Sequence, residues 1–268
     1  MSSSERHESD SLSIAPRRIL ITAGAAGIGL AMARGFLACG DNVAITDTDA
    51  DALDAATACH PALLPLQADA ADEAAMDAVF ARLESTWEGL DVVQVNAGIA
   101  GPTAAIEDIR LEDWQRCLAV NLDGAFLACR KAAALMKPAG YGVITLTSST
   151  AGLFGYPLRA PYATAKWGII GLTKTLAMEL GPCGIRVNAI CPGSVEGERM
   201  DGVISREAAA RGISSEQLRQ GYADCASLRR FVTADDIANM AVFLASSAAR
   251  NINGMAMAVD GHTERVTL

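Results

Sequence analysis

The most informative stretch of this 268-residue sequence reads Ile19-Leu-Ile-Thr-Ala-Gly-Ala-Ala-Gly-Ile-Gly29. An apolar run leads into a glycine-rich turn, and a helix-forming segment from Leu30 to Cys39 follows, which predicts strand, turn and helix in that order. Glycines let a backbone approach a phosphate group closely, and a helix N-terminus offers unpaired N–H donors at a positive dipole end. Taken alone the turn is a weak signal, since an isolated glycine-rich turn is usually just a turn.

A second apolar strand, Asn42-Val-Ala-Ile-Thr-Asp47, follows at the spacing of a βαβ unit. Its last residue, Asp47, can accept hydrogen bonds from the hydroxyls of an adenosine ribose and would repel a 2′-phosphate. No Arg or Lys lies in the glycine turn or directly after Asp47 to attract that phosphate. The pair of segments therefore predicts a dinucleotide site that favours NAD over NADP.

A third feature lies far along the chain, in Ala160-Pro-Tyr-Ala-Thr-Ala-Lys166, where Tyr162 and Lys166 stand one helical turn apart. A free phenol ionises near pH ~10, but an adjacent ammonium stabilises the phenolate and lowers that value. The pair can then take a proton from an alcohol or give one to an alkoxide. Such a pair also occurs by chance on solvated helix faces, so it needs support from elsewhere in the sequence.

Taken together, these segments resemble the short-chain dehydrogenase/reductase family in its short single-domain form, from about Arg18 to Gly261. The family's Thr-Gly-x-x-x-Gly-x-Gly motif is matched at Thr22, Gly27 and Gly29. Ala23 replaces the first glycine, and we expect Gly24 to take over the flexible position of the turn. The family's Asn-Asn-Ala-Gly motif is present as Val95-Asn96-Ala97-Gly98, with Val95 in place of the first Asn.

The resemblance implies a catalytic set of four residues, Asn121, Ser149, Tyr162 and Lys166, and direct hydride transfer between a carbinol carbon and C4 of a nicotinamide. Ser149 would bind the substrate oxygen, and Lys166 would bind the nicotinamide ribose and lower the pKa of Tyr162. Asn121 would hold a water that links Lys166 to solvent through a local helix distortion. Read singly, Ser149 would be a strand-end hydroxyl, Asn121 a helix amide and Asp47 a turn former, but their order and spacing favour the family roles.

The same resemblance implies a larger set of cofactor-binding residues. Asp69 matches the residue that contacts adenine, although capping the helix that starts near Asp72 explains it nearly as well. Gly197 stands where the family usually has Thr, so backbone groups around Val195 would have to hold the nicotinamide. The predicted cofactor set is Thr22, Gly24, Gly27, Ile28, Gly29, Asp47, Asp69, Ala70, Asn96, Ala97, Gly98, Tyr162, Lys166, Pro192, Gly193 and Val195.

Strand and helix patterns alternate along the chain, which predicts an α/β fold with a Rossmann-type, doubly wound, seven-stranded parallel sheet. The predicted strands lie near 18–22, 42–47, 63–67, 91–96, 143–148, 186–191 and 255–260. We expect a disordered N-terminal tail over 1–16 and one catalytic domain over 17–268. The family resemblance further implies a mobile lid over about 194–230, hereafter the lid segment.

The lid segment is the part of the sequence that says most about the substrate. Arg199 within it, and Arg159 three residues before Tyr162, are candidates for binding a substrate carboxylate, sulfonate or phosphate. Solvated surface is the alternative for most lid arginines. An aromatic content of 5% disfavours a large aryl or steroid substrate, so we expect a small polar hydroxy compound.

Composition excludes several other classes of function. A net charge of −9 disfavours nucleic acid or an anionic membrane as partner, and the apolar content of 51% fits strands buried on both faces. Seven cysteines without a Cys-x-x-Cys pair predict reduced core residues in a cytoplasmic protein, and three scattered histidines indicate no metal site. The long helices over 111–137 and 160–180 would form a homotetramer interface, as in the family, although a buried face of a monomer gives the same pattern.

Two alternatives to an NAD-dependent dehydrogenase stay open at this stage. One is an NADPH-dependent carbonyl reductase, against which Asp47 argues. The other is a catalytically silent nucleotide sensor or scaffold, which loss of Tyr162, Lys166 or Ser149 would have supported. All three residues are present, so the sequence favours an enzyme with an alcohol or ketone as its small-molecule partner.

Overall fold

The protein is described by a computed structural model that covers residues 15–263. The predicted N-terminal tail lies almost wholly outside these residues. Seven parallel strands form one sheet in the order β3-β2-β1-β4-β5-β6-β7. The strands are β1 (Arg18–Thr22), β2 (Asn42–Asp47), β3 (Leu63–Gln67), β4 (Val92–Val95), β5 (Gly142–Thr147), β6 (Ile185–Pro192) and β7 (Ala256–Val259). The doubly wound sheet predicted from the sequence is confirmed, and no strand boundary differs from its predicted position by more than one residue.

Helices cover both faces of the sheet, as parallel strands require. They are α1 (Gly27–Ala38), α2 (Ala50–Cys59), α3 (Glu73–Trp87), α4 (Leu111–Leu118), α5 (Gly124–Ala139), α6 (Ala160–Leu180), α7 (Glu198–Arg211), α8 (Ser215–Cys225) and α9 (Ala234–Ala245). Asp72 caps α3, since its side chain accepts a hydrogen bond from the backbone N–H of Ala75 at 3.0 Å. That cap is therefore Asp72 and not Asp69.

Alternate residues of β1 face opposite sides of the sheet and belong to two separate apolar clusters. Leu20 packs in the cluster beneath α3, α5 and α6, whereas Ile19 and Ile21 pack in the cluster beneath α1, α2 and α9. All three side chains are fully buried. The high apolar content of the sequence is thus used to fill two cores, one on each face of one sheet.

The seven cysteines are free thiols, but the prediction that they are core residues is only partly correct. Cys117, Cys129 and Cys191 are buried, whereas Cys39 and Cys59 are exposed. The two exposed cysteines stand at the C-terminal ends of α1 and α2, where the helices leave the sheet. Helical periodicity alone could not show that these helix ends face solvent.

Candidate active site

The glycine turn that connects β1 to α1 has an unusual backbone at Ala23. Ala23 has φ 51°, in the left-handed region that favours glycine, and Gly24 does not adopt a positive φ. The expectation that Gly24 supplies the flexible position is wrong. A Cβ on Gly24 would lie 2.6 Å from Ile45 Cγ2, so this glycine is needed for packing against β2. The turn thus holds Ala23, which stands at the position of the family's first glycine, in a backbone conformation that favours glycine.

The strain at Ala23 can be measured. A non-glycine residue in the left-handed region costs roughly 1–2 kcal/mol, and replacing it with glycine removes that cost. Glycine also makes the unfolded chain more flexible, which offsets part of the gain in the free energy of unfolding. We expect Ala23→Gly to raise the free energy of unfolding by about 0.5–1 kcal/mol, which corresponds to a rise of roughly 1–4 °C in the thermal midpoint. Ala25→Gly is the control, because Ala25 is buried without a positive φ. Equal destabilisation by both changes would contradict strain at Ala23.

The start of α1 is built to accept an anion. Its N-cap residue, Ala26, makes no side-chain capping bond, so the first N–H groups of the helix remain available to donate to a ligand. A Cβ on Gly27 would meet nothing within 4 Å, whereas a Cβ on Gly29 would lie 2.0 Å from the Ala23 carbonyl oxygen. Gly29 therefore lets α1 pack tightly on the turn, and Gly27 leaves open space in front of the helix.

Thr22 and Asn96 tie this turn to the end of β4. Thr22 Oγ1 accepts hydrogen bonds from the backbone N–H groups of Asn96 and Ala97, at 2.9 and 3.0 Å. The Asn96 side chain donates to the carbonyl oxygens of Thr22 and Ala23, at 3.2 and 3.1 Å. Thr22 is fully buried, so it supports the site from beneath and does not face a ligand as predicted.

Tyr162, Lys166 and Ser149 meet at the carboxyl end of β5. Lys166 Nζ donates to the carbonyl oxygen of Thr147 at 2.9 Å, which anchors the ammonium on the strand end. Ser149 hydrogen-bonds the Tyr162 hydroxyl, and its Oγ also accepts from the N–H of Ala151 at 3.1 Å. Ser148, its neighbour, donates to the Lys166 carbonyl and is buried. The four-residue spacing and the strand-end serine thus bring together the three polar groups that the sequence predicted.

The charges around Tyr162 favour its phenolate. Burial raises the pKa of Tyr162, but the Lys166 ammonium, the Arg199 guanidinium and the hydrogen bond from Ser149 outweigh burial and hold that pKa below its ordinary value. Burial lowers the pKa of Lys166, an effect that the neighbouring phenol only partly opposes. A phenol with a lowered pKa beside a serine hydroxyl is suited to exchange a proton with an alcohol oxygen.

Asn121 lies in a distorted helix. Residues Ala119–Asp123 form a π-helical stretch between α4 and α5, and π-bulges are frequent at functional sites. Asn121 Nδ2 donates to the carbonyl oxygens of Cys117 and Ile99, at 2.9 and 3.0 Å, whereas the buried Oδ1 has no hydrogen-bond partner among residues 15–263. A Cβ on Gly98 would lie 2.6 Å from that Oδ1 and 3.4 Å from Lys166 Nζ. The unpartnered oxygen therefore faces the same point as the ammonium.

A cavity of about 510 Å³ runs from the glycine turn to the lid segment, within the size range of small-molecule sites. Of the predicted catalytic, cofactor and substrate residues, those that line it are Gly27, Ile28, Gly29, Asp47, Asn96, Gly98, Ser149, Arg159, Tyr162, Lys166, Pro192, Gly193, Val195 and Arg199. The predicted residues that do not line it are Thr22, Gly24, Asp69, Ala70, Ala97 and Asn121. Asp69 instead accepts a hydrogen bond from the Ala71 N–H and pairs with Arg116 at 3.6 Å.

The lid segment contains α7 and α8, which share an apolar cluster with Phe231 and Tyr156. Gly197 precedes α7 with φ 130° and ψ 173°, a conformation that the family's usual threonine would not adopt without strain. A chain of hydrogen bonds crosses the cluster, because the Tyr156 hydroxyl donates to the Tyr222 hydroxyl at 2.6 Å and Tyr222 donates to Glu207 at 2.5 Å. Sequence reasoning missed these three residues, since no local pattern marks a polar contact between separate helices.

The two arginines predicted near the substrate both reach the cavity. Arg159 is buried and its guanidinium carbon lies 4.9 Å from the centre of the Tyr162 ring. Arg199 is exposed, and its Nη1 donates to the Gly98 carbonyl oxygen at 3.1 Å. One arginine therefore approaches Tyr162 from the body of the protein and the other from α7.

Comparison with known proteins adds to this geometry. A family model described as "Enoyl-(Acyl carrier protein) reductase" matches residues 23–262. The chain belongs to the short-chain dehydrogenase/reductase family. It is 34% identical over 255 residues to D-beta-hydroxybutyrate dehydrogenase of Rhizobium meliloti (strain 1021), which covers 90% of this chain and 96% of the relative. It is 33% identical over 256 residues to 2-(R)-hydroxypropyl-CoM dehydrogenase of Xanthobacter autotrophicus, a match that covers 91% of this chain and 97% of the relative.

Among solved structures, NAD+-bound xylitol dehydrogenase has a TM-score of 0.88 at 28% identity, with 92% of this chain and 98% of the other covered. This short-chain dehydrogenase/reductase is thus an oxidoreductase that acts on CH–OH groups, in a family that uses nicotinamide cofactors. Within residues 15–263, no helix is long and apolar enough to cross a membrane. Over the same residues, no three His, Cys, Asp or Glu side chains are grouped so that they could hold a metal ion.

Proposed function

We propose that this enzyme transfers a hydride between NAD(H) and a secondary alcohol or ketone, and that the substrate is a small polar hydroxy compound. One observation carries the proposal: the Tyr162, Lys166 and Ser149 side chains line the same cavity as Asp47 and the start of α1. The names of the similar proteins agree with it, since hydroxybutyrate, hydroxypropyl-CoM and xylitol are all hydroxy compounds.

The residues present fit a dinucleotide cofactor. The uncapped N-terminus of α1 would bind the pyrophosphate, Asp47 the adenosine ribose, and Lys166 the nicotinamide ribose. When bound, the nicotinamide would accept the hydride from the carbinol carbon or return it. Gly193 and Val195, which line the cavity beside Tyr162, would hold the nicotinamide end.

The chain's own residues would handle the proton and the orientation of the substrate. In the direction of oxidation, the Tyr162 phenolate takes the hydroxyl proton, and Ser149 donates a hydrogen bond to the substrate oxygen. Lys166 stabilises the phenolate through its charge. The unpartnered Oδ1 of Asn121 supports a water at the point that it shares with Lys166 Nζ, from which protons would reach solvent.

The test is an assay for reduced nicotinamide over polyols, hydroxy acids and simple secondary alcohols, with NAD+ and with NADP+. The proposal expects turnover with NAD+ on at least one class of hydroxy compound. Cofactor binding without turnover on any of them would favour the alternative of a nucleotide sensor. A higher kcat/KM with NADP+ would favour the alternative of an NADPH-dependent carbonyl reductase.

Asp47 provides a sharper test of cofactor choice. At an effective dielectric of roughly 20, two unit charges about 4 Å apart repel by about 4 kcal/mol, and partial exposure of Asp47 reduces this. We expect Asp47→Ser to change the ratio of kcat/KM for NAD+ over NADP+ by roughly 10²-fold in favour of NADP+. Asp51→Ser is the control, because it removes the same charge from an exposed residue outside the cavity lining. An equal change in both variants would show that Asp47 does not determine the choice between NAD+ and NADP+.

We further propose that the enzyme assembles as a homotetramer through α5 and α6. Phe126 on α5 and Trp167 and Met178 on α6 are large apolar side chains that remain exposed in the single chain. Exposed apolar patches of this kind mark interfaces between proteins. Sedimentation equilibrium measures the assembly directly, and a monomer would refute it.

The cytoplasmic location stays a prediction, which fractionation of the source cells would test.

A further inference from the structure

We infer that the substrate carries a carboxylate or sulfonate group, held by Arg159 from the body of the protein and by Arg199 from the lid segment. The inference rests on the proposed function and adds the chemical class of its substrate. It also assigns the two arginines different parts, because Arg159 is fixed by burial whereas Arg199 belongs to α7.

The first observation is that Arg159 is a buried cation without an anionic partner in the described part of the chain. Its exposed fraction is 3%. Within that part, its Nη2 donates only to the carbonyl oxygen of Ala100, at 2.8 Å, and its buried Nε has no hydrogen-bond partner. Among residues 15–263, no carboxylate forms an ion pair with Arg159. A buried charge is costly unless it is paired, so Arg159 is suited to a ligand that brings the missing charge.

Other shielded arginines in the chain are compensated by the protein itself. Arg17 pairs with Asp41 at 2.6 Å, and Arg18 pairs with Asp91 at 2.7 Å. Arg186 lacks a carboxylate but donates to three backbone carbonyl oxygens instead. Arg159 has one such carbonyl, which sets it apart from the arginines whose role is structural.

The second observation is the position of Arg159 relative to the reacting groups. Its guanidinium carbon lies 4.9 Å from the centre of the Tyr162 ring and 5.7 Å from the centre of the Tyr156 ring, and all three side chains line the cavity. Stacking on aromatic rings fixes the plane of the guanidinium without using its N–H donors. An anion bound there would lie close to the Tyr162 hydroxyl, so the carbinol and the anionic group belong to one short molecule.

The third observation is the convergence of Arg199 on the same loop. Arg199 donates to the carbonyl oxygen of Gly98, two residues from the carbonyl that receives Arg159. Both arginines lower the pKa of Tyr162, which reports their positive potential at the site of proton transfer. Glu196 and Glu198 also line the cavity, but both are exposed and neither pairs with these arginines among the described residues. Two guanidinium groups facing one pocket suit a carboxylate or a sulfonate.

The experiment compares alcohols that share a secondary carbinol and carry either an anionic group or a neutral hydroxyl group beside it. With NAD+ and the wild-type enzyme, kcat/KM is measured for 3-hydroxybutyrate against 1,3-butanediol, and for 2-hydroxypropane-1-sulfonate against 1,2-propanediol. We expect the anionic member of at least one pair to be preferred by roughly 10–10²-fold, the value of one or two charge-assisted hydrogen bonds. The two pairs distinguish a carboxylate from a sulfonate. Turnover of the neutral alcohols at equal or higher kcat/KM would overturn the inference and leave the proposed function intact.

Variants then assign the preference to residues. Arg159→Met and Arg199→Met should each raise KM for the anionic alcohol by roughly 10-fold or more relative to the change in KM for its neutral partner. Arg206→Met is the matched control, since Arg206 is an exposed arginine of the same helix as Arg199 and does not line the cavity. Equal effects on charged and neutral alcohols in the two cavity variants would overturn the assignment.

A binding measurement covers the case in which no alcohol turns over or Arg159→Met fails to fold. Calorimetry with wild-type enzyme and NAD+ should detect saturable binding of butyrate or 1-propanesulfonate, and none of 1-butanol at the same concentration. The exposed Arg199→Met variant should weaken that binding, and Arg206→Met should not. Anion binding without turnover would retain the anion site at the two arginines and favour the nucleotide sensor over the proposed function, whereas absence of anion binding would reject the inference.

Discussion

Replacing Tyr162 with Phe is expected to lower kcat by roughly 10²–10⁴-fold, the usual contribution of a positioned general acid or base. The change removes the hydroxyl that exchanges the proton and keeps the ring over which Arg159 stacks. The dissociation constant for the cofactor should therefore stay within a few-fold of the wild-type value. Initial rates in both directions, together with titration of cofactor binding by fluorescence, measure the two quantities separately.

Tyr141→Phe provides the control for this experiment. Tyr141 is also a tyrosine, but it is exposed and does not line the cavity. We expect its kcat to match that of the wild type. If Tyr162→Phe retained more than about a tenth of wild-type kcat, the phenol would not be the group that moves the proton.

Lys166→Met is expected to move the pH dependence of alcohol oxidation as well as its rate. Oxidation needs the Tyr162 phenolate, so kcat/KM rises as pH rises through the pKa of Tyr162, and reduction shows the opposite trend. Lys166 is the strongest of the groups that lower that pKa. Its removal should shift the rising limb upward by roughly one to three pH units, and kcat/KM near neutral pH should fall by roughly 10–10³-fold.

Lys174→Met tests whether the shift comes from the position of the charge. Lys174 lies on the same helix, α6, two turns further along, and is exposed. Lys174→Met should leave both the pH at which oxidation rises and the value of kcat/KM unchanged. If the rate of Lys166→Met rose over the same pH range as that of the wild type and only its maximum were lower, Lys166 would act in cofactor binding and would not set the pKa of Tyr162.

Much of this architecture could be predicted because the signals are local. Strand β1 shows an apolar run, and Tyr162 and Lys166 share a face of α6 whatever surrounds them. The helix over 160–180 and the doubly wound parallel sheet follow from such patterns, together with the rules for parallel sheets. The strand-end residues that line the cavity follow from the same rules, since the carboxyl ends of parallel strands meet at one edge.

The features that escaped prediction depend on contacts between distant parts of the chain. Ala23 has a left-handed backbone, and the neighbouring Gly24 has no room for a Cβ because Ile45 of the next strand packs against it. The hydrogen bond from Tyr222 to Glu207 joins two helices whose mutual orientation no single-sequence pattern contains. The sequence suggested Arg159 as a substrate residue, but only the fold reveals that its charge is buried and uncompensated.

The interior of the lid segment is separate from the two clusters that pack on the sheet. Ile204 and Ala208 of α7 pack with Leu218 and Tyr222 of α8, and Tyr156 and Phe231 complete the group from outside these helices. Mutations inside this small core can therefore accumulate without repacking the sheet or moving Tyr162. Evolution can therefore change the substrate specificity through substitutions in the lid segment, while Tyr162, Lys166 and Ser149 keep their positions at the end of β5.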